Sequence, residues 1–191
     1  MNAILNAISL QEISNIGKVV VISNRSDSNG LQIAKTHYSV PTEVIPKKSL
    51  SNKEFESMLI DTLKSYDIGP VNGLICLAGF MQILGPVIVN LYKNRILNIH
   101  PSLLPSFKGL HAQKQAIDAG VKVSGCTVHF VDDCVDHGPI ILQKCVPVLD
   151  NDTDSMLSDR ILVEEHSLYK EAINLFVNNR LRLKGNRVFI N

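Results

Sequence analysis

The chain has 191 residues, of which 45% are apolar, 19% charged and 5% aromatic, and it contains no Trp. This composition is typical of one ordinary globular domain spanning residues 1–191, long enough to build a full core without disulfides or metal. Nineteen basic and 18 acidic side chains leave a formal charge of +1, which excludes a broad positive field for nucleic acid or an anionic membrane. An anionic ligand therefore needs a local binding site.

The hydrophobic pattern predicts a soluble, cytoplasmic protein. The longest apolar runs have the length of strands and are far too short to span a bilayer. Residues 2–8 form a helix-like run that lacks the basic start and long apolar centre of a secretory signal. No CxxC pair occurs, so we expect no metal and four reduced thiols that act as small hydrophobic residues: Cys76, Cys126, Cys134 and Cys145.

The first half of the chain predicts alternating strands and helices. The β-branched run 18–23 is typical of a strand buried on both faces of a parallel sheet. A polar cap at Ser51 or Asn52 opens a helix whose apolar residues recur at spacings of three and four. The predicted elements are a strand at 18–23, a helix from 31, a strand at 40–45, a helix from 51 or 52, a strand at 74–78 and a helix at 86–92.

The second half extends the same α/β pattern. Two prolines and a glycine make 100–109 a loop at the end of a strand. The remaining predictions are strands at 95–99, 124–131 and 140–148, helices at 113–119 and 154–177, and a terminal hairpin within 180–191 that turns at Gly185-Asn186. The fold class is an open, mostly parallel twisted sheet with helices on both faces. Ligands bind such sheets beyond the carboxyl ends of the strands, here 79–84 and 98–109.

Asn98, His100 and Asp136 are the candidate catalytic residues. Asn98 and His100 are two positions apart at a strand end, so both side chains leave the same face. An amide and an imidazole aimed together can donate to an oxygen that gains negative charge, as acyl transfer requires. Asp136 would orient the imidazole and favour its protonated form. Spacing alone leaves a second interpretation open, in which the same residues cap a loop.

The other histidines give weaker indications of a functional role. His100 and His111 lack the spacing of a helical zinc pair, which disfavours a metal site. His129 lies within a predicted strand, where a hydrogen-bonded sheet histidine is the favoured interpretation. Composition gives no role to His37 or His166.

Residues 98–111, which read NIHPSLLPSFKGLH, resemble the glycinamide ribonucleotide formyltransferases, folate-dependent enzymes of purine biosynthesis. The Asn-x-His-x-Ser-Leu-Leu-Pro core is shared across formyltransferases, whereas 109–112 and 127–130 indicate the glycinamide ribonucleotide branch. The resemblance covers nearly the whole chain and continues through 77–84, 119–121, 125–131, 136–143 and 146–148.

The resemblance implies that Asn98, His100 and Asp136 transfer a formyl group from the co-substrate 10-formyltetrahydrofolate to the amine of glycinamide ribonucleotide. It also implies a cis Leu104-Pro105 bond and a ribonucleotide contact by Glu165. No metal is implied, and the protein is expected to be a monomer or a weak homodimer. The implied folate pocket comprises Met81, Gln82, Ile83, Leu84, Asn98, Asp132, Asp133, Cys134, Val135 and Asp136, with Gln82 at a position where the family commonly has Arg.

The start of the chain departs from the family pattern. Members open with a strand and a Gly-x-Gly-Ser-Asn turn that binds the substrate phosphate at a helix N-terminus, whereas residues 1–5 match the helix after that turn. We therefore expect the domain to lack the first strand and the phosphate loop. The alternatives are another formyl-folate enzyme, of the sugar-nucleotide or methionyl-tRNA type, and an inactive truncated folate-binding fragment.

Overall fold

The computed structural model describes the backbone of residues 1–191 and every side chain except that of residue 49. Helices and strands alternate along most of the chain. The helices are α1 (Asn2–Ser9), α2 (Asn29–Tyr38), α3 (Asn52–Ser65), α4 (Pro86–Leu91), α5 (Ala112–Asp118) and α6 (Asp154–Val177), with a 3₁₀ turn at Lys47–Ser49. The strands are β1 (Val21–Ser23), β2 (Thr42–Val44), β3 (Ile75–Leu77), β4 (Ile96–His100), β5 (Val123–Phe130), β6 (Ile140–Pro147), β7 (Leu181–Lys184) and β8 (Arg187–Ile190).

The strands form three hydrogen-bonded groups, β1-β2, β3-β4-β5-β6 and β7-β8. β1 pairs with β2 and β3 pairs with β4, both in parallel. β5 and β6 then continue the order β3-β4-β5-β6 in antiparallel orientation, a common arrangement at one side of a parallel sheet. β7 and β8 form the predicted terminal hairpin. The α/β class and the order of the predicted elements are confirmed.

The prediction of a strand buried on both faces at 18–23 was wrong. β1 covers 21–23 rather than 18–23, β3 covers 75–77 rather than 74–78, and both are only half-buried. A cavity of about 990 Å³, lined by residues of both strands, lies between them. Within the part of the chain that the structure describes, each of these two strands has a hydrogen-bonded neighbour on one side only. A strand that lacks a second hydrogen-bonded partner is shorter and less enclosed.

The capping prediction for α3 is confirmed. The Ser51 hydroxyl accepts the backbone N–H of Glu54, and the Glu54 carboxylate accepts the backbone N–H of Ser51, which together form a capping box. The apolar residues of the helix behave as predicted with one exception. Phe55, Leu59 and Leu63 are buried, whereas Met58 is 43% exposed.

Helix α6 has the predicted bounds and joins two strands of the sheet. Its stripe of Leu157, Ile161, Leu168 and Ala172 is buried in the larger core cluster. The buried Tyr169 hydroxyl lies 2.9 Å from the carbonyl oxygens of both Leu77 and Leu97. Because these carbonyls belong to β3 and β4, the tyrosine fixes the helix against these two parallel strands, and β4 carries Asn98 and His100 of the candidate site.

An ion pair between Arg160 of α6 and the buried Asp152 carboxylate links the helix to the segment that precedes it. Arg160 donates from both terminal nitrogens to the two oxygens of Asp152, at 2.7 and 2.8 Å, and one of these nitrogens also reaches the Pro147 carbonyl. The backbone N–H of Leu149 donates to the same carboxylate. These donors, Arg160 first, lower the pKa of Asp152 from 3.8 to about 2, so the ionised carboxylate stabilises the fold.

We expect this pair to give a measurable acid dependence of stability. The pKa of Asp152 is lower in the folded chain, so its contribution is complete above about pH 4 and is lost as the pH falls from about 4 towards 2. The free-energy difference between the wild type and Asp152→Asn in urea unfolding should therefore shrink across that window. The control Asp61→Asn removes an exposed carboxylate 3.9 Å from Lys64 and should change stability little. A pH-independent difference for Asp152→Asn would contradict the assignment.

The four cysteines are free, but only two of them act as small core residues. Cys126 is buried and Cys76 is half-buried, and burial raises the pKa of each thiol to about 12. Cys134 and Cys145 are exposed, which corrects the prediction for these two positions. Across the part of the chain that the structure describes, no helix is long and apolar enough to cross a membrane.

Candidate active site

Strand β4 places Asn98 and His100 on one face of the sheet. The two residues are two positions apart, so their side chains leave the strand on the same side. The antiparallel register sets Asn98 opposite His129 and His100 opposite Thr127 of β5. Directly opposed residues share a face, so four polar side chains occupy one patch in the middle of a largely apolar sheet.

His129 orients the Asn98 amide. Burial lowers the pKa of His129, so its ring is neutral at neutral pH. Its Nδ1 lies 2.8 Å from the Phe130 carbonyl, which requires the ring proton on Nδ1 and leaves Nε2 as an acceptor. Nε2 accepts from Asn98 Nδ2 at 3.3 Å. One amide N–H of Asn98 is thereby fixed, and the second is left for a substrate oxygen.

His100 is nearly buried and lies between two acceptors. Its Nε2 is 2.9 Å from the Phe107 carbonyl, and its Nδ1 is 3.3 Å from Asp136 Oδ2. Only the doubly protonated imidazole can donate to both oxygens. The geometry therefore suits a His100 that carries a proton which it can give to a reacting atom.

Asp136 folds back over this patch from the loop between β5 and β6. Its side chain is 10% exposed, with Oδ2 also accepting the Gly109 backbone N–H at 2.8 Å and Oδ1 lying 3.8 Å from His129 Nε2. Its backbone has a positive φ of 49°, which Asp tolerates better than most residues. The carboxylate thus joins the β5–β6 loop to the loop after β4, with the two histidines between them.

The loop after β4 is fixed by a buried polar network around Thr127. The Thr127 hydroxyl donates to the Ser102 carbonyl at 2.7 Å and accepts the Leu104 backbone N–H at 3.0 Å. Gln143 Nε2 donates to the Leu104 carbonyl and to Thr127 Oγ1. The Leu104-Pro105 bond is cis, as the resemblance implied. These contacts hold the segment from which the Phe107 carbonyl and the Gly109 N–H reach the site.

The two segments of the implied folate pocket pack against one hydrophobic cluster. Leu84, at the end of the loop between β3 and α4, and Val131, at the start of the β5–β6 loop, pack against the same hydrophobic cluster. Met81 and Ile83 are 78% and 79% exposed, and Val135 is 51% exposed. Gln82, Asp133 and Cys134 are also exposed, whereas Asp132 is partly enclosed. Both loops thus present exposed apolar side chains, and the second loop also carries Asp136.

Glu165 lies on helix α6. It is half-buried on α6, and burial raises the pKa of its carboxyl group, an effect that the nearby Met1 amine opposes. The structure connects Asn98, His100 and Asp136 through direct contacts and through His129, and the ribonucleotide contact of Glu165 stays a prediction.

Several residues that complete the site were not found by sequence reasoning. His129 was correctly predicted to be hydrogen-bonded within the sheet, but its contact with Asn98 depends on the β4–β5 register. Phe107 and Gly109 contribute backbone groups, which leave no side-chain signal. In the sequence, Thr127 could be identified as a site residue only as part of the motif shared with the formyltransferases.

An amide, an imidazole and a carboxylate that converge beyond a strand of an α/β sheet define an enzyme site suited to proton transfer and to stabilisation of an oxyanion. The formyl transferase family profile matches residues 1–173. The chain belongs to this family.

Two named relatives and one solved structure are similar to this chain over most of its length. The phosphoribosylglycinamide formyltransferase of Escherichia coli (strain K12) is 35% identical over 190 residues, which cover 100% of this chain and 87% of that protein. The trifunctional purine biosynthetic protein adenosine-3 of Chironomus tentans is 45% identical over 166 residues, 86% of this chain but only 12% of that protein. The crystal structure of glycinamide ribonucleotide transformylase 1 from Symbiobacterium toebii superposes with a TM-score of 0.92 and 47% identity, over 99% of this chain and 87% of the other.

Proposed function

We propose that the chain transfers the formyl group of 10-formyltetrahydrofolate to the amine of glycinamide ribonucleotide. The observation that carries this proposal is the contact of Asp136 with His100 beside the oriented amide of Asn98. This group supplies an oxyanion donor and a proton donor but no nucleophile, as direct transfer between two bound substrates requires. The relatives named for this reaction span nearly the whole chain.

The reaction begins when the neutral amine of the ribonucleotide attacks the formyl carbon. A C–N bond forms, and the electron pair of the carbonyl bond moves to the oxygen. The free N–H of Asn98 and the protonated ring of His100 donate to this oxyanion, while the Asp136 carboxylate stabilises the charged imidazole. Donors already held in place by the protein stabilise such charge without reorganisation at the moment of reaction.

Breakdown of the tetrahedral intermediate transfers a proton and breaks the second C–N bond. The leaving N10 of the folate gains a proton from His100 as its bond to carbon breaks, and the proton lost by the attacking nitrogen returns the imidazole to its protonated form. In the free chain the Nε2 proton of His100 is held by the Phe107 carbonyl. It becomes available when a substrate atom replaces that carbonyl as the acceptor, which makes His100 the general acid.

Two sets of residues are proposed to bind the substrates. The pterin and its attached ring would lie between two loops, one formed by Met81, Gln82, Ile83 and Leu84 and the other running from Asp132 to Asp136. Exposed apolar side chains in these loops can pack against flat rings. Backbone groups of Asp132, Asp133, Cys134 and Val135 would bind the polar edge of the pterin. Glu165 would accept hydrogen bonds from the ribonucleotide. We further propose a cytoplasmic location, with no nucleic-acid or membrane partner.

The direct test is turnover by the purified chain with glycinamide ribonucleotide and 10-formyltetrahydrofolate. We expect tetrahydrofolate and formylated ribonucleotide in equal amounts, with both kcat and KM measurable by following the loss of the formyl folate. Parallel reactions offer a sugar-nucleotide amine, methionyl-tRNA or water as the acceptor. Faster transfer to one of these acceptors would contradict the assigned substrate. Folate binding without turnover for any acceptor would instead support the inactive fragment.

A further inference from the structure

A second group of chemically reactive side chains occupies the loop between β5 and β6. Asp132, Cys134 and His137 each offer one possible ligand atom, and these atoms all lie within 4.8 Å of one another. The cluster is ordered by its own contacts. His137 Nδ1 is 2.8 Å from Asp132 Oδ2, and the Cys134 backbone N–H donates to Asp132 Oδ1 at 3.0 Å.

The donor set is selective for one class of ion. A carboxylate oxygen, a thiolate sulfur and an imidazole nitrogen together suit Zn²⁺ and similar transition metals, whereas Mg²⁺ and Ca²⁺ prefer oxygen alone. A tetrahedral ion with bonds of about 2.0–2.3 Å holds its ligands roughly 3.3–3.8 Å apart. The present separations therefore need only a small contraction of an exposed loop.

We propose that Asp132, Cys134 and His137 form a three-ligand Zn²⁺ site with an open fourth position for water. The ion would displace the thiol proton of Cys134 and the proton that His137 and Asp132 share. Two anionic ligands, the carboxylate and the thiolate, then balance its charge. The His137 side chain is 55% exposed and Asp132 is 35% exposed, so the ion reaches the site directly from solvent.

The metal site is distinct from the catalytic group in the same loop. The Asp136 carboxylate points towards His100 and His129, whereas the Asp132 carboxylate turns to His137. Because this loop is also proposed to bind folate, the test measures the ion directly and uses no turnover. Its failure would leave the proposed function unaffected, and failure of the proposed function would leave the metal site standing.

Calorimetric titration of the full chain with Zn²⁺ at neutral pH should give one ion per chain. We expect Cys134→Ser and His137→Ala each to weaken binding by about 10-fold or more. The matched controls Cys145→Ser and His37→Ala replace an exposed cysteine and an exposed histidine elsewhere and should leave it unchanged. Mg²⁺ should give no binding heat. With Co²⁺ as the probe, sulfur-to-cobalt charge-transfer absorption should appear and should be lost in Cys134→Ser.

Three results would overturn the site. These are the absence of one-to-one Zn²⁺ binding, equal affinity in Cys134→Ser and the wild type, and an equal loss in Cys145→Ser. Circular dichroism checks that each variant is folded, and the exposed positions of the substituted side chains make this the expected outcome.

Discussion

Replacement of His100 by Ala is expected to lower kcat for formyl transfer by about 10²–10⁴-fold. The variant removes both the proton donor and one of the two groups that face the developing oxyanion, while the folate loops remain in place. KM for the formyl folate should therefore change much less than kcat. Steady-state kinetics with glycinamide ribonucleotide measure the two parameters separately.

Asp136→Asn tests the charge in the same group. Asparagine keeps an oxygen that can accept the Gly109 N–H but loses the negative charge beside His100. We expect a fall in kcat of similar order. His37→Ala is the control, because His37 is exposed on α2 and belongs to no part of the site. Near-normal kcat in either His100→Ala or Asp136→Asn would remove these residues from the mechanism.

The sequence was sufficient to predict elements whose signals are local. The range 154–177 of α6 follows from its apolar stripe, and the start of α3 follows from its polar cap at Ser51. The trio of Asn98, His100 and Asp136 could be selected because strand ends of α/β sheets bind ligands. For these features, the residue propensities, the hydrophobic pattern and the tertiary packing all favour the same structure.

Features that depend on pairing could not be predicted. The run 18–23 has the composition of a buried strand, yet burial requires a neighbour on each side, and the structure places a cavity next to β1. The contact between His129 and Asn98 depends on the register of β4 against β5, which brings together residues 31 positions apart in the chain. The exposure of Cys134 depends on the path of the β5–β6 loop, which no hydrophobic period encodes.

The path of that loop depends on Gly138, and Gly138→Ala is expected to have a large effect on stability as well as on activity. A Cβ atom at this buried position would lie 2.0 Å from the Phe130 carbonyl oxygen and 2.9 Å from its carbon. Both contacts are with backbone, so no side-chain rotation relieves them. We expect the variant to lose about 2–4 kcal/mol of unfolding free energy.

The same clash should also reduce activity. The Phe130 carbonyl accepts the Nδ1 proton of His129, and the Phe130 N–H donates to the Pro139 carbonyl at 2.9 Å. Moving this peptide loosens the histidine that orients Asn98 and shifts the loop that carries Asp136. We expect kcat to fall at least about tenfold in the folded variant, since small displacements of positioned groups are costly.

Gly17→Ala is the matched control for Gly138→Ala. A Cβ at Gly17 would have no atom within 4 Å, and its φ lies outside the left-handed region, so alanine should be neutral or slightly stabilising. Urea unfolding and steady-state kinetics of both variants separate the backbone clash from the general effect of replacing glycine. Wild-type stability and kcat in Gly138→Ala would contradict this prediction. The position of the Phe130 peptide would then not determine how Asn98 and Asp136 are oriented.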